Sequence, residues 1–325
     1  MHILYLGGTG EISYSCVHAS LRRGHRVTVF NRGRNDEPLP PEVEVVHGDA
    51  NDEAALRTLG ARGFDSVCQF LAYSVEQAER DVAVFGGRTG QYVFISTASA
   101  YQKPQRDYRI TERTPLENPH WEYSRKKAAM ERTLLDAHAA GKLAVTVVRP
   151  SHTHRRRFPG TFVSGDHVAH RMLAGKPVVC HGDGSSLWTL THSDDFAVAF
   201  TGLLGNPKAL GEAFHITRDH AHLWTVILNT IAEVLGVRAT IVYAASRDLV
   251  KRRPQWEGPL LGDKSCSVVF DNAKVSGAVG GWSCAISMEE GLRRTAEHVR
   301  ARLAAGWSPS AEDEALLDEI VAAHG

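Results

Sequence analysis

The 325-residue chain has no excess of either charge: 37 lysines and arginines balance 37 aspartates and glutamates. Without a net field it has no general means of drawing nucleic acid or an anionic membrane to its surface, so neither is predicted as a partner. No apolar run is long enough to span a bilayer. The chain enters a strand by its second residue, which predicts no secretory leader. Cysteine is scarce, odd in number and without any CxxC spacing. Cys16, Cys68, Cys180, Cys266 and Cys284 read as reduced, mostly buried thiols of a cytoplasmic protein rather than as zinc ligands or disulfide staples, and no metal site is predicted. Internal repeats and low-complexity segments are also absent. What remains is a chain with 43% hydrophobic residues, long enough for one large α/β unit and a smaller appended lobe.

The segment from His2 to Arg34 organises the rest. Ile3 to Leu6 is a short apolar run suited to a strand buried on both faces, and Gly7, Gly8 and Gly10 follow at once. Ile12, Cys16, Val17 and Leu21 then fall at helical spacing before Gly24 closes the helix, and a second strand spans Val27 to Phe30. A glycine turn between strand and helix lets backbone N–H groups approach a pyrophosphate with no side chain in the way, at the positive end of the helix. An ordinary strand-to-helix turn is the alternative. Further strands are predicted at 43–46, 65–71, 92–95, 143–148 and 213–216, with helices over 52–59 and 75–85 and a long helix opening at Pro119. Their alternation predicts a doubly wound parallel Rossmann sheet. Residues 1–150, completed by about 186–217, would form the dinucleotide-binding domain, and 151–185 with 218–325 the substrate lobe.

The turn after the second strand, Asn31-Arg32-Gly33-Arg34, lacks the acidic residue that an NAD-preferring site usually carries. Arg32 and Arg34 can pair with a 2′-phosphate, which favours NADP(H) over NAD(H); two solvated loop arginines are the alternative. In the helix after Pro119, Tyr123 and Lys127 are four residues apart and share one face, placing an ammonium beside a phenol whose free pKa is about 10. The polar stretch Gln102 to Asn118 is too long for a simple connection and reads as an active-site flap. Arg155-Arg156-Arg157 fits either an acidic substrate or a solvated turn.

The motif Gly7-Gly8-Thr9-Gly10-Glu11-Ile12-Ser13 resembles the GGTGxIG fingerprint of the extended short-chain dehydrogenase/reductases, the NAD-dependent epimerase/dehydratase family. Ser13 replaces the third glycine of that pattern, and Glu11 stands where relatives carry an apolar or aromatic residue. The Glu11 head is expected to point to solvent or to the substrate side, because it would repel the phosphates. The resemblance extends through Gly48-Asp49-Ala50-Asn51-Asp52, Tyr123-Ser124-Arg125-Lys126-Lys127 and Arg149-Pro150-Ser151. It implies cofactor contacts from Gly7, Gly10, Glu11, Ile12, Asn31, Arg32, Arg34, Ala50, Ala72, Pro150 and Ser151. For Asp49 it implies an adenine contact, with a cap on the next helix as the alternative. It implies Tyr123 as acid/base, Lys127 as the group that lowers its pKa and holds the nicotinamide ribose, and Thr97 as the residue orienting the reacting oxygen. Ser99, Tyr101 and His152 would meet the substrate, and Asp195 would be structural. Dehydratase relatives carry Asp-Glu after the threonine, and Ala98-Ser99 here removes the acid and base needed to eliminate water.

Three functions are compatible with these residues. The first is an NADP(H)-dependent ketoreductase acting on a sugar, glycoside or related polyol. The second is a sugar or nucleotide-sugar epimerase with retained cofactor. The third, suggested by stem-loop-binding relatives, is a non-catalytic NADP-binding or RNA-associated protein, which the Tyr/Lys pair and zero net charge disfavour. The oligomeric state is not encoded legibly, and a homodimer is compatible with the sequence.

Overall fold

A computed structural model describes residues 1–35 and 37–325. Seven strands form one parallel sheet: β1 (His2–Leu6), β2 (Arg26–Asn31), β3 (Glu44–His47), β4 (Phe64–Gln69), β5 (Thr89–Ile95), β6 (Val145–Pro150) and β7 (Ala213–Ile216). Their spatial order is β3-β2-β1-β4-β5-β6-β7. Every neighbouring pair is parallel. The order reverses direction between β1 and β4, which leaves a crevice at the carboxyl ends of these strands.

β1 is buried on both faces because its residues alternate between two cores. Ile3 and Tyr5 join Cys16, Val17, Phe196 and Phe200 under helices α1 (Ser13–Arg22) and α5 (Ser193–Leu203). Leu4 and Leu6 join Leu56, Phe94 and Met130 under α2 (Glu53–Gly60), α3 (Val75–Phe85) and α4 (Glu122–Ala139). Each fully buried side chain of this kind contributes about 1.5–3 kcal/mol relative to exposure.

A smaller set of elements comes after β6. Val178–His181 pairs in parallel with Ile241–Ala244. Helices Gly165–Leu173, Trp224–Val234 and Met288–Ala304 enclose a second core around Trp188, Trp224, Leu228 and Leu292. Helix Ser246–Arg252 follows the strand Ile241–Ala244. None of the helices among the described residues is long and apolar enough to cross a membrane.

Three local expectations are corrected. α4 begins at Glu122, not Pro119. The amide of Asn118 holds the intervening residues in a bend, donating to the carbonyls of Ser99 and Gly262 while its oxygen accepts from His120 N–H. α2 is capped by Asp52, whose side chain accepts from Ala55 N–H; Asp49 instead accepts from Asn51 N–H. The segment expected as a flap is fastened to the second core, because Arg109–Ile110 pairs in parallel with Val269–Phe270. Asp195 is structural, accepting from the N–H groups of Ala285 and Ile286.

Candidate active site

The turn after β1 takes its shape from glycine. Gly7 and Gly8 have φ of +113° and +115°, a region that side chains rarely adopt. A Cβ on Gly8 would lie 2.7 Å from Val29 Cγ2. Ser13, in the place of the third glycine, braces this turn: its hydroxyl accepts from Gly8 and Gly10 N–H at 3.2 and 3.0 Å. No side chain caps the start of α1 at Ile12, which leaves the positive end of this helix at the edge of the cleft lined by Ile12 and Ser13.

That cleft has a volume of about 430 Å³ and is lined by Gly7, Gly10, Glu11, Ile12, Asn31, Arg32, Arg34, Tyr123, Lys127 and Pro150 among others. A glycine turn, an uncapped helix start and two arginines at the far end fit a pyrophosphate dinucleotide. Asn31 shapes the arginine turn, its side-chain oxygen accepting from Gly33 N–H at 2.8 Å. Asp49, Ala50 and Ala72 lie outside the lining. Asp49 is exposed, whereas the carbonyls of Ala50 and Ala72 are taken by Arg80 and Lys127.

A second cavity, of about 260 Å³, shares Ile12, Tyr123 and Pro150 with the cleft and adds Thr97, Ser99, Ser151, His152, Trp121, Trp188, Asp263 and Lys264. Tyr123 is thus part of the wall of both spaces. A hydroxyl relay runs behind it, Thr97 Oγ1 to Ser99 Oγ at 2.9 Å and Ser99 Oγ to Ser124 Oγ at 2.7 Å. Burial, with Tyr73 and Asp263 nearby, pushes the Tyr123 phenol up to about 12, although a hydrogen bond with Thr97 acts in the opposite direction.

Lys127 differs from expectation. Its Nζ donates to the carbonyls of Ala72 and Ile95 at 2.9 and 2.8 Å and lies 5.9 Å from the Tyr123 ring centroid. In this geometry the ammonium does not offset the cost of burying a phenolate, and Tyr123 stays protonated. Burial also brings Lys127 down to about 8, opposed by Glu131.

His152, expected to meet the substrate, lines the second cavity. Trp188 Nε1 donates to its Nδ1 at 3.2 Å, so Nε2 carries the proton of the neutral ring. Burial holds the imidazole well below its usual range. With its one lone pair occupied, His152 offers a donor and no base.

Tyr101, expected beside the substrate, is fully buried. Its hydroxyl lies between His215 Nδ1 and Arg149 Nη1, at 3.0 and 3.1 Å, and Arg149 is in turn paired with Glu131 at 2.6 Å. Glu11, a quarter exposed at the cleft, is held by backbone rather than left free in solvent. Its Oε1 accepts from the backbone N–H groups of Arg155, Arg156 and Arg157. The three arginines are not a free anion site: Arg155 and Arg156 pair with Glu37 and Arg157 with Asp166.

Sequence reasoning did not single out Trp121, Trp188, Asp263 or Lys264 as site residues. Trp121 could have been found from its place two residues before Tyr123, where its ring packs 5.2 Å from the tyrosine ring. Asp263 and Lys264 reach the cavity from more than a hundred residues downstream, a placement that no spacing rule gives.

A family model described as "NAD dependent epimerase/dehydratase family" matches residues 3–217. The chain is 28% identical over 240 residues to 2′-dehydrokanamycin reductase of Streptomyces kanamyceticus, covering 73% of this chain and 67% of that one. It is also 28% identical over 239 residues to the chloroplast stem-loop binding protein of 41 kDa b of Arabidopsis thaliana, covering 67% of this chain and 58% of that one. The fold is similar to that of an epimerase from Methanothermobacter thermautotrophicus, with a TM-score of 0.77 at 17% identity over 94% of this chain and 93% of the other. The chain belongs to the NAD dependent epimerase/dehydratase family, among its oxidoreductases and epimerases of the short-chain dehydrogenase/reductase type.

Proposed function

We propose that the protein is an NADP(H)-dependent ketoreductase acting on a sugar-like carbonyl or alcohol. The observation that carries this reading is the position of Tyr123, a protonated phenol in the wall common to the dinucleotide cleft and the smaller cavity. Residues 1–150 with the strand at 213–216 would hold the dinucleotide, and the elements after β6 the substrate. Arg32 and Arg34, beside a turn without a carboxylate at 31–34, support selection of the 2′-phosphorylated cofactor.

A bound nicotinamide dinucleotide supplies or receives the hydride. In the direction of reduction, Thr97 donates a hydrogen bond that orients the carbonyl oxygen, and Tyr123 gives its phenolic proton to that oxygen as negative charge develops there. Tyr123, itself partly exposed, recovers its proton from water once the product leaves; the Thr97–Ser99–Ser124 hydroxyls hold the geometry of the site. Lys127, a cleft-lining ammonium with two of its three donors fixed on carbonyls, holds the ribose with the third. His152 donates to a substrate oxygen and takes no proton, so Tyr123 is the sole acid/base.

Incubation with NADPH and a panel of keto-sugars tests this, following loss of reduced-cofactor absorbance and the product isomers by NMR. Stoichiometric NADPH oxidation is expected. Inversion of a stereocentre with no cofactor consumed would make the protein an epimerase.

A further inference from the structure

A third cavity, of about 360 Å³, lies among α1, the turn at Arg155, the start of α5 and helix Met288–Ala304. Its lining includes Tyr14, Arg155, His192 and Arg294 and shares no residue with the dinucleotide cleft or the smaller cavity. Arg155 is 8% exposed and His192 4%. The pairing of Arg155 with Glu37 uses only Nη1, at 3.0 Å, and the guanidinium carbon lies 4.1 Å from the Tyr14 ring centroid. Nε and Nη2 of Arg155 have no hydrogen-bond partner among the described residues. These two nitrogens share one edge of the guanidinium, the fork that grips an oxyanion with two parallel bonds.

His192 adds a third donor to the same wall. Its Nδ1 accepts from Asp194 N–H at 3.2 Å, which places the proton of the neutral ring on Nε2. Nε2 also lacks a partner among the described residues. The two carboxylates of the lining are engaged elsewhere. Asp194 accepts from Ser15 Oγ at 2.7 Å and has Arg294 at 3.8 Å, and Glu297 has Arg293 at 3.3 Å. Buried donors without acceptors are rare and destabilising, and here they occur on two side chains of one cavity wall.

We propose that this cavity binds a small oxyanion, a carboxylate or a phosphate, gripped by Nε and Nη2 of Arg155 and receiving a further hydrogen bond from His192 Nε2. The donors decide the class of ligand. A fork of two parallel N–H groups is matched by two oxygens on one atom, whereas a hydroxyl or an amide carbonyl presents one and leaves half of the fork unmet. The site requires nothing of the reaction at Tyr123 and stands whether or not the protein is a ketoreductase.

Calorimetric titration with sodium phosphate and with sodium acetate, at an ionic strength held constant with chloride, tests this. Each titration is run without and with saturating NADP⁺, because the glycine turn is itself a seat for phosphate. Wild-type protein should bind at least one of the two anions at a site that NADP⁺ leaves in place; tighter phosphate identifies a phosphate ligand and tighter acetate a carboxylate. R155K keeps the charge and loses the fork, and should weaken that binding by at least about tenfold. H192N, whose amide oxygen can still cap Asp194 N–H, should weaken it by about three- to tenfold. R157Q removes a charge from the same turn but lies outside the lining, and should change it by less than about twofold. Absence of an NADP⁺-resistant site in the wild type, a site untouched by R155K and H192N, or a loss in R157Q as large as that in R155K would each overturn the proposal. If R155K does not fold, the wild-type titration and H192N decide.

Discussion

Tyr123 and Lys127 share one face of α4, yet the Lys127 ammonium is directed at the carbonyls of Ala72 and Ile95 rather than at the Tyr123 hydroxyl. The phenol, with a pKa of about 12, is therefore stored in its acid form, and the two residues have separable tasks.

Tyr123→Phe keeps the ring packed on Trp121 and removes only the proton-carrying oxygen. Turnover should fall by about 10²–10⁴-fold, the usual worth of a general acid, while the dissociation constant for NADP⁺ changes less than about twofold. Stopped-flow turnover and cofactor titration measure the two quantities; retention of more than a tenth of wild-type turnover would show that the proton comes from elsewhere.

Arg32→Ala should narrow the preference for NADP(H) over NAD(H). Loss of one charge-assisted contact to phosphate costs about 1.5–3 kcal/mol, roughly a ten- to hundredfold weakening for NADPH alone. Calorimetric titration with both cofactors checks this, and equal affinities in the wild type would remove the basis for it.

If Lys127 holds the ribose as proposed, its pKa of about 8 should give activity a decline through that pH, because the ammonium becomes an amine well before an ordinary lysine would. The contribution to stability has the opposite sign. Between about pH 8 and the lysine's usual 10.5, the unfolded chain binds a proton that the folded chain does not, so raising the pH through this window favours folding at this site. A pH–rate profile flat to pH 10 would contradict the first expectation; urea melts across the same range, compared with Lys127→Met, test the second.

Glu131→Gln should lower stability by about 3 kcal/mol, because it leaves the Arg149 guanidinium buried with its counter-charge gone. The pair is 2.6 Å apart with side chains 1% and 5% exposed. Denaturant unfolding would show a shift of less than 1 kcal/mol if water reaches Arg149 and compensates.

The sheet was legible because each strand is a local event. Ile3 to Leu6 and Ala213 to Ile216 announce themselves as apolar runs, and the glycine turn after the first of them requires a helix start beyond it. Boundaries shifted where distant partners intervened, as when Asn118, tied to the Gly262 carbonyl, bent the chain ahead of Trp121. The cleft was legible for the same reason, since Gly7, Gly10, Arg32 and Tyr123 lie at predictable ends of predictable elements. The illegible part depends on charges that meet across the fold. Glu37 and Asp166 neutralise Arg155 to Arg157, Arg149 draws Tyr101 inward, and Asp263 with Lys264 enters the cavity from the second core. No spacing rule connects such partners.

Glu11 gives the cleft a kinetic property. Its carboxylate fastens the glycine turn to the backbone at 155–157, while Asn35 donates to the carbonyl of Thr9 and Glu37 holds Arg155 and Arg156. These ties join the turn under the dinucleotide to two loops from other parts of the chain. A ligand seated there would leave only as fast as the ties open, so its residence time would be governed by the loops as well as by its own contacts. Under the ketoreductase reading proposed above, in which cofactor must be exchanged every cycle, release of the cofactor would be coupled to the movement of these loops.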